Sequence, residues 1–210
     1  MFKKTPFILL YFICCFSCVQ LASEVKSWVE LNENDEVFGK YHHLSEDNIK
    51  LFLPEVFKKY SLSAYQEELD SLLDEKEYKH ELHRLNMMKS MKGNFHIFFD
   101  KETKSTYTLN SLPYTPLYKR DAQFILGMIR KRYEAETRNM NASFEKVTAK
   151  YNSSNGVQLF KVIYKIRYEN YPVDAYNTSY IISSNKKTVM INLTTPFDVY
   201  FDPFIQKTIL

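Results

Sequence analysis

Residues 94–110 read NFHIFFDKETKSTYTLN and predict the central feature of the fold. Within them, residues 95–100 and 106–109 are rich in aromatic and β-branched side chains, and the polar residues 101–105 separate the two runs. Two such runs joined by a short polar segment are typical of a β-hairpin. The segment therefore predicts two antiparallel strands.

Two polar side chains of this hairpin carry expectations of their own. Asp100 stands at the start of the turn, where an aspartate side chain commonly accepts a backbone hydrogen bond. His96 alternates with the apolar Phe95, Ile97 and Phe99. Because alternate residues of a strand point to opposite faces, we expect His96 to face solvent.

Helical patterns flank the hairpin on both sides. Before it, apolar residues recur at intervals of three and four over residues 62–93, with a break near residues 75–77 and a cap at Ser61 or Ser63. After it, residues 120–137 predict a second helix. Its apolar stripe consists of Ala122, Ile125, Ile129 and Tyr133.

The last third of the chain has the strongest β pattern. Residues 144–151 lead through a turn into residues 160–168, where apolar and basic side chains alternate, as in a strand with one buried and one wet face. Residues 176–183 and 188–194 predict a further hairpin. Pro196 then fits the first turn of a short C-terminal helix.

The order of these elements is helix, hairpin, long helix, antiparallel meander and C-terminal helix, after strands and turns over residues 28–56. Together with the segments NFHIFFDKETKSTYTLN, YIISSNKKTVMINLTTP and FDVYFDPFIQKTI, it resembles the PsbP-like α/β/α sandwich. The resemblance extends from about Glu36 to the C-terminus and implies an α+β fold, an antiparallel β-sheet flanked by helices. We expect a single such domain over residues 23–210, since one domain typically has about 100–200 residues. The chain is also similar to uncharacterised secreted bacterial proteins.

The N-terminus has the order of a secretory signal. Lys3 and Lys4 precede an unbroken apolar run at residues 7–16, and small or polar residues follow. This run is too short to cross a bilayer, which requires about 20 apolar residues, so an uncleaved anchor is the second interpretation. We therefore expect a signal peptide over residues 1–22 and a secreted, periplasmic or cell-envelope protein.

All three cysteines, Cys14, Cys15 and Cys18, lie in this leader, so the mature domain is not expected to rely on disulfides. Cys18 resembles the lipid-attachment cysteine of bacterial lipoproteins, although Cys15 stands where that pattern prefers leucine. Lipidation at Cys18 would associate the protein with a membrane through its N-terminus.

The charge balance bears on the class of partner. Loss of Lys3 and Lys4 with the leader lowers the formal net charge from +3 to +1. A nucleic-acid-binding protein usually carries a strongly basic surface. We therefore expect no nucleic-acid partner.

One residue set has the chemistry of a metal site. Glu77, His80 and His83 are three residues apart on the first helix, so a carboxylate and two imidazoles would lie along one side of it. A zinc-protease helix has its histidines four apart, and a di-iron site requires a second Glu-x-x-His, which the sequence lacks. The alternative interpretation is a solvated helix face, and we expect no cofactor.

Two further groups have both a functional and a structural interpretation. Basic residues of the second helix would suit anionic headgroups or an acidic polymer, but exposed helices are normally charged. Four tyrosines of the β region would suit either a ligand groove or the core. The basic residues are Lys119, Arg120, Arg130, Lys131, Arg132 and Arg138, and the tyrosines are Tyr164, Tyr168, Tyr176 and Tyr180.

No catalytic motif is present beyond the leader: a glycine-rich phosphate loop, a Gly-x-Ser-x-Gly elbow and a Cys/His pair are all missing. The PsbP-like resemblance likewise implies a binding or assembly role. The sequence therefore predicts an exported, non-catalytic binding or envelope-assembly protein whose partner is a protein or a small molecule. The alternative is an exported metal-binding protein or metal-dependent enzyme that uses Glu77, His80 and His83.

Overall fold

The computed structural model describes residues 28–72, 75–140, 142–169 and 173–210. The expected signal peptide at residues 1–22, including Cys18, lies outside the described residues. The helices are α1 (Leu62–Leu72), α2 (Glu75–Ser90), α3 (Lys119–Met140) and α4 (Asp202–Lys207). Among the described residues, no helix has the length and apolar character needed to cross a membrane.

The strands form one large and one small antiparallel sheet. The large sheet has the order β3-β4-β5-β9-β8-β7-β6, and β1 and β2 form a separate hairpin. The strands of the first half are β1 (Lys40–Leu44), β2 (Ile49–Leu53), β3 (Lys58–Tyr60), β4 (Asn94–Asp100) and β5 (Ser105–Leu112). Those of the second half are β6 (Ala142–Ser154), β7 (Val157–Tyr168), β8 (Ala175–Ser184) and β9 (Lys187–Thr195). The predicted α+β class and both predicted hairpins are confirmed.

Helices α1, α2 and α3 cover one face of the large sheet, which we call the helical face. On β4, Ile97 and Phe99 pack with Tyr65 of α1 and Leu85 of α2. On β7, alternate apolar residues pack under Ala122 and Tyr133 of α3. Ser61 caps α1, since its hydroxyl accepts a hydrogen bond from the backbone N–H of Ala64 at 3.2 Å.

The opposite face, which we call the hairpin face, packs against the β1–β2 hairpin and α4. Its core contains aromatic and aliphatic residues from both sides, and each large apolar side chain that is fully buried stabilises the fold by about 1.5–3 kcal/mol. The fully buried residues include Trp28, Leu51, Phe57, Phe98, Tyr107, Ile191, Phe201 and Phe204.

Two residues that were predicted to face solvent are buried, because both faces of the large sheet are covered, so these two predictions are wrong. His96 is only 7% exposed, because the β1–β2 turn places the carboxylate of Asp47 against its ring. Lys161, expected on the wet face of β7, is only 8% exposed because α4 lies over it. The sheet therefore has no fully wet face at these positions.

The C-terminal helix also begins later than predicted. It starts at Asp202 with Pro203 in its first turn, whereas Pro196 lies in the non-helical segment before it. Asp198 is exposed in that segment. Asp202 holds the first-turn position, where negative charge is favoured by the helix dipole.

Candidate functional site

A groove of about 330 Å³ lies on the hairpin face, between α4 and the β6–β7 edge of the sheet. We call it the α4 groove. Its lining combines three apolar side chains with hydrogen-bonding and charged groups. The lining residues are Lys150, Asn152, Ser154, Val157, Leu159, Lys161, Tyr180, Asp202, Ile205 and Gln206.

Strand register puts three of these residues side by side across the groove. Lys150 on β6 is directly opposite Lys161 on β7, and Lys161 is directly opposite Tyr180 on β8. Side chains of directly opposite residues lie on the same face of a sheet, with Cβ atoms about 4.5–5.5 Å apart. The row therefore presents two ammonium groups and one phenol on the hairpin face.

Asp202 of α4 connects the helix to this row. Its Oδ1 accepts a hydrogen bond from Lys161 Nζ at 2.6 Å and another from the Tyr180 hydroxyl at 2.8 Å. Burial, followed by the charge of Asp202 and its hydrogen bond, raises the pKa of Tyr180. The phenol therefore stays protonated at neutral pH and acts as a donor.

The ammonium of Lys161 also lies above two aromatic rings. Its Nζ is 5.5 Å from the ring centre of Tyr180 and 5.9 Å from that of Tyr200. Such contacts are attractive because the faces of aromatic rings carry partial negative charge. Asp202 and the two rings together hold Lys161 in place. The other carboxylate oxygen of Asp202, Oδ2, receives no hydrogen bond from the described residues.

Lys150 has a different environment from Lys161. It is exposed, and no carboxylate among the described residues pairs with it. Like charges directly opposite each other destabilise a sheet. Since Lys161 is paired with Asp202, the charge of Lys150 is the one in the groove that the described fold does not neutralise.

A second polar cluster lies on the helical face, between α1, α2 and β5. Arg84 donates to Glu81 from Nε at 2.6 Å and from Nη2 at 2.5 Å. The Tyr65 hydroxyl is 2.7 Å from that of Thr106 and donates to Glu81 at 3.3 Å. Burial alone would lower the pKa of Arg84, but the charge and hydrogen bonds of Glu81 outweigh it and raise the pKa. These groups satisfy one another, which indicates a structural link between the helices and the sheet.

The predicted metal residues Glu77, His80 and His83 all lie on α2. The side chains of Glu77 and His80 lie outside the described part of the structure, and His83 is exposed. Among the described residues, no group of three histidine, cysteine, aspartate or glutamate side chains is arranged to hold a metal ion. The metal site stays a prediction.

The four tyrosines do not form one groove. By strand register, Tyr164 and Tyr168 lie on the helical face, whereas Tyr176 and Tyr180 lie on the hairpin face. Tyr164 packs against Tyr133 of α3, with ring centres 4.7 Å apart. Only Tyr180 contributes to the α4 groove.

The basic helix α3 is partly neutralised within itself. Arg130 donates to Glu134 at 2.9 Å, and Arg120 is 3.7 Å from Asp121. The described outer surface also includes Phe124, which is 68% exposed. The side chain of Arg138 lies outside the described residues.

Sequence reasoning did not identify Lys150, Lys161 or Asp202 as site residues. One signal was present: in FKVIY, residues 160–164, the apolar neighbours of Lys161 include residues that point to each of the two faces of the strand. A continuous apolar run is typical of a strand that is buried on both faces. A lysine inside such a run requires a partner for its ammonium group.

Comparison with known proteins supports the fold assignment. No family model and no curated protein matches the chain. Among solved structures, cyanobacterial PsbP (CyanoP) from Synechocystis sp. PCC 6803 is similar with a TM-score of 0.53 and 9% identity, over 86% of this chain and 97% of that one. The Ran-binding protein Mog1p from Saccharomyces cerevisiae gives a TM-score of 0.43 and 10% identity, over 78% of this chain and 79% of that one. The sheet order, the helices on one face and the hairpin and α4 on the other therefore constitute a PsbP-like α+β fold.

Proposed function

We propose that the protein is exported and acts as a non-catalytic binding protein that holds its ligand in the α4 groove. The observation that carries this proposal is the groove itself, in which three apolar side chains lie beside the hydrogen-bonded Lys161, Tyr180 and Asp202. Binding sites for small molecules are typically concave, largely apolar, and about 300–1,000 Å³ in volume. The groove lies at the small end of that range, so its ligand is a small molecule.

The titratable groups of the groove support a role without chemistry. A general base must lie within hydrogen-bond reach of the proton that it abstracts, and histidine, aspartate and glutamate are the common choices. The one carboxylate of the lining, that of Asp202, is paired with Lys161 at 2.6 Å. The pKa of Tyr180 is raised by burial and by Asp202, so the phenol is not a base at neutral pH. Both groups serve to position Lys161.

Export rests on the leader at residues 1–22, and lipidation at Cys18 would hold the domain at a membrane surface. The intact mass of the chain recovered from its host tests this step. A mass matching residues 23–210, or a chain that begins at Cys18 with two or three acyl groups, supports export. A cytosolic chain that retains residues 1–22 contradicts it.

Binding is tested with a matched pair of valines at the β6–β7 edge. Val157 lines the groove and is 38% exposed, whereas Val147 is outside it and is 45% exposed. In a fragment screen by amide NMR, fragments should shift the signals of groove residues, Val157→Trp should abolish these shifts, and Val147→Trp should preserve them. Equal effects of the two variants would refute the groove as the site.

Catalysis is tested separately. The protein should show no turnover on a broad panel of hydrolase substrates. Turnover that a single substitution abolishes would overturn the non-catalytic assignment.

The alternative based on Glu77, His80 and His83 would instead require stoichiometric metal that survives gel filtration and is lost in the double variant His80→Ala, His83→Ala.

A further inference from the structure

We infer that the ligand of the α4 groove is a small amphiphile with an anionic group, a carboxylate or a phosphate, which binds at Lys150 with its apolar part against Val157, Leu159 and Ile205. This inference rests on the proposed binding function and adds the chemical class of the ligand. It follows from the charges, the hydrogen-bond donors and the apolar residues of the lining.

The charges of the groove favour an anion. Its lining contains two cations and one carboxylate, and that carboxylate is already paired with Lys161 at 2.6 Å. Lys150 remains as a cation without a described acidic partner, directly opposite Lys161 on the next strand. An anion at Lys150 would supply the acidic partner that this cation lacks among the described residues.

The uncharged polar groups point to the same chemistry. Asn152, Ser154 and Gln206 also line the groove, and each side chain provides at least one hydrogen-bond donor. The side-chain donors of these three residues make no hydrogen bond to any described residue. A carboxylate or phosphate offers several acceptor oxygens to such donors, and hydrogen bonds to charged acceptors are stronger than those between neutral groups.

The apolar residues of the lining indicate the chemistry of the rest of the ligand. Val157 and Leu159 lie on β7, and Ile205 faces them from α4. Leu159 and Ile205 pack with the core of the hairpin face, so this part of the groove has a stable apolar wall. A short alkyl or aryl group would bury apolar surface there, at about 25 cal/mol per Å².

The test uses four probes with the same six-carbon chain and different head groups: hexanoate, hexyl phosphate, hexanol and hexylamine. Each is titrated into the protein recovered after export with its own leader, and groove amide shifts are followed by NMR. Hexanoate or hexyl phosphate should bind at least tenfold more tightly than hexanol, and hexylamine should bind no better than hexanol. The preferred anion distinguishes a carboxylate ligand from a phosphate ligand.

Lys150→Glu should weaken binding of the preferred anion at least tenfold without lowering the thermal unfolding midpoint. Lys146→Glu is the matched control, because Lys146 is exposed on the same strand and its register partner Tyr164 lies on the helical face. If hexanol and the anions bind with equal affinity, and Lys150→Glu does not change the affinity, the anion assignment is wrong. Binding in the groove would still be supported. Absence of groove shifts with all four probes would also overturn it, and failure of the valine test as well would remove the proposed function.

Discussion

The ring of His96 on β4 and the carboxylate of Asp47 in the β1–β2 turn form a buried hydrogen bond, with Nε2 and Oδ2 2.6 Å apart. Asn94 donates to the other carboxylate oxygen at 2.8 Å. Hydrogen bonds from these partners outweigh burial, which acts in the opposite direction, and lower the pKa of Asp47. This contact fastens the small hairpin to the large sheet.

Loss of that contact should destabilise the fold. Asp47→Ala leaves His96 and Asn94 without their acceptor, and an unsatisfied buried polar group costs about 1–3 kcal/mol. Urea unfolding monitored by circular dichroism measures the loss. Glu46→Ala, at an exposed neighbouring position, is the control and should have little effect. If the two variants unfold at the same urea concentration, the contact does not stabilise the hairpin.

His42 should make the protein less stable in mild acid. Burial, followed by the charges of Lys40, Lys58 and Lys59, lowers the pKa of His42 to about 4 from its usual 6.5. Between these two values the unfolded chain binds a proton that the folded protein does not, so stability falls as the pH decreases from about 6.5 to 4.

The two adjacent histidines allow this to be measured. His42 packs against Phe98 with ring centres 4.8 Å apart, whereas His43 is exposed on the opposite face of β1. His42→Phe should reduce the slope of unfolding free energy against pH in this window, and His43→Phe should not. An unchanged slope in His42→Phe would show that His42 does not titrate as the structure indicates.

Glu81 and Arg84 should be strongly coupled. Both side chains are largely buried, at 18% and 11% exposed, so Arg84→Met leaves an unpaired carboxylate and should cost about 3–5 kcal/mol. The double variant Glu81→Gln, Arg84→Met removes both charges and should recover part of that loss. Additive effects in a double-mutant cycle would contradict direct coupling.

Two glycines should respond oppositely to alanine. Gly93, between α2 and β4, has φ +107°, and an added Cβ would overlap the carbonyl oxygen of Ser111. Gly93→Ala should destabilise by more than about 1 kcal/mol. Gly127 lies in α3 with open space around its Cα, so Gly127→Ala should stabilise by about 0.5–1 kcal/mol. Thermal unfolding of both variants tests the contrast.

The sequence predicts the elements of this fold well because they depend on local periodicity. The Ser61 cap is confirmed, as is the turn at Asp100, whose Oδ1 accepts from the N–H of Glu102 at 3.1 Å. Residues 75–77, where the pattern predicts a break, instead belong to α2. Each of these features depends on residues close together in the chain.

The environment of single polar residues was not predictable in the same way. His96 and Lys161 follow the alternation of their strands, but partners 49 and 41 residues away bury them. The apolar run at residues 97–99 was a sign that β4 is covered on both faces. The α4 groove likewise depends on where α4 packs, which no local pattern gives.

Native mass spectrometry of the protein recovered gently from its host tests the central claim, that the α4 groove holds a ligand, most directly. We predict a bound small molecule on the wild-type protein, retained by Val147→Trp and missing from Val157→Trp. A bare wild-type protein, or the same adduct on both variants, would contradict the account.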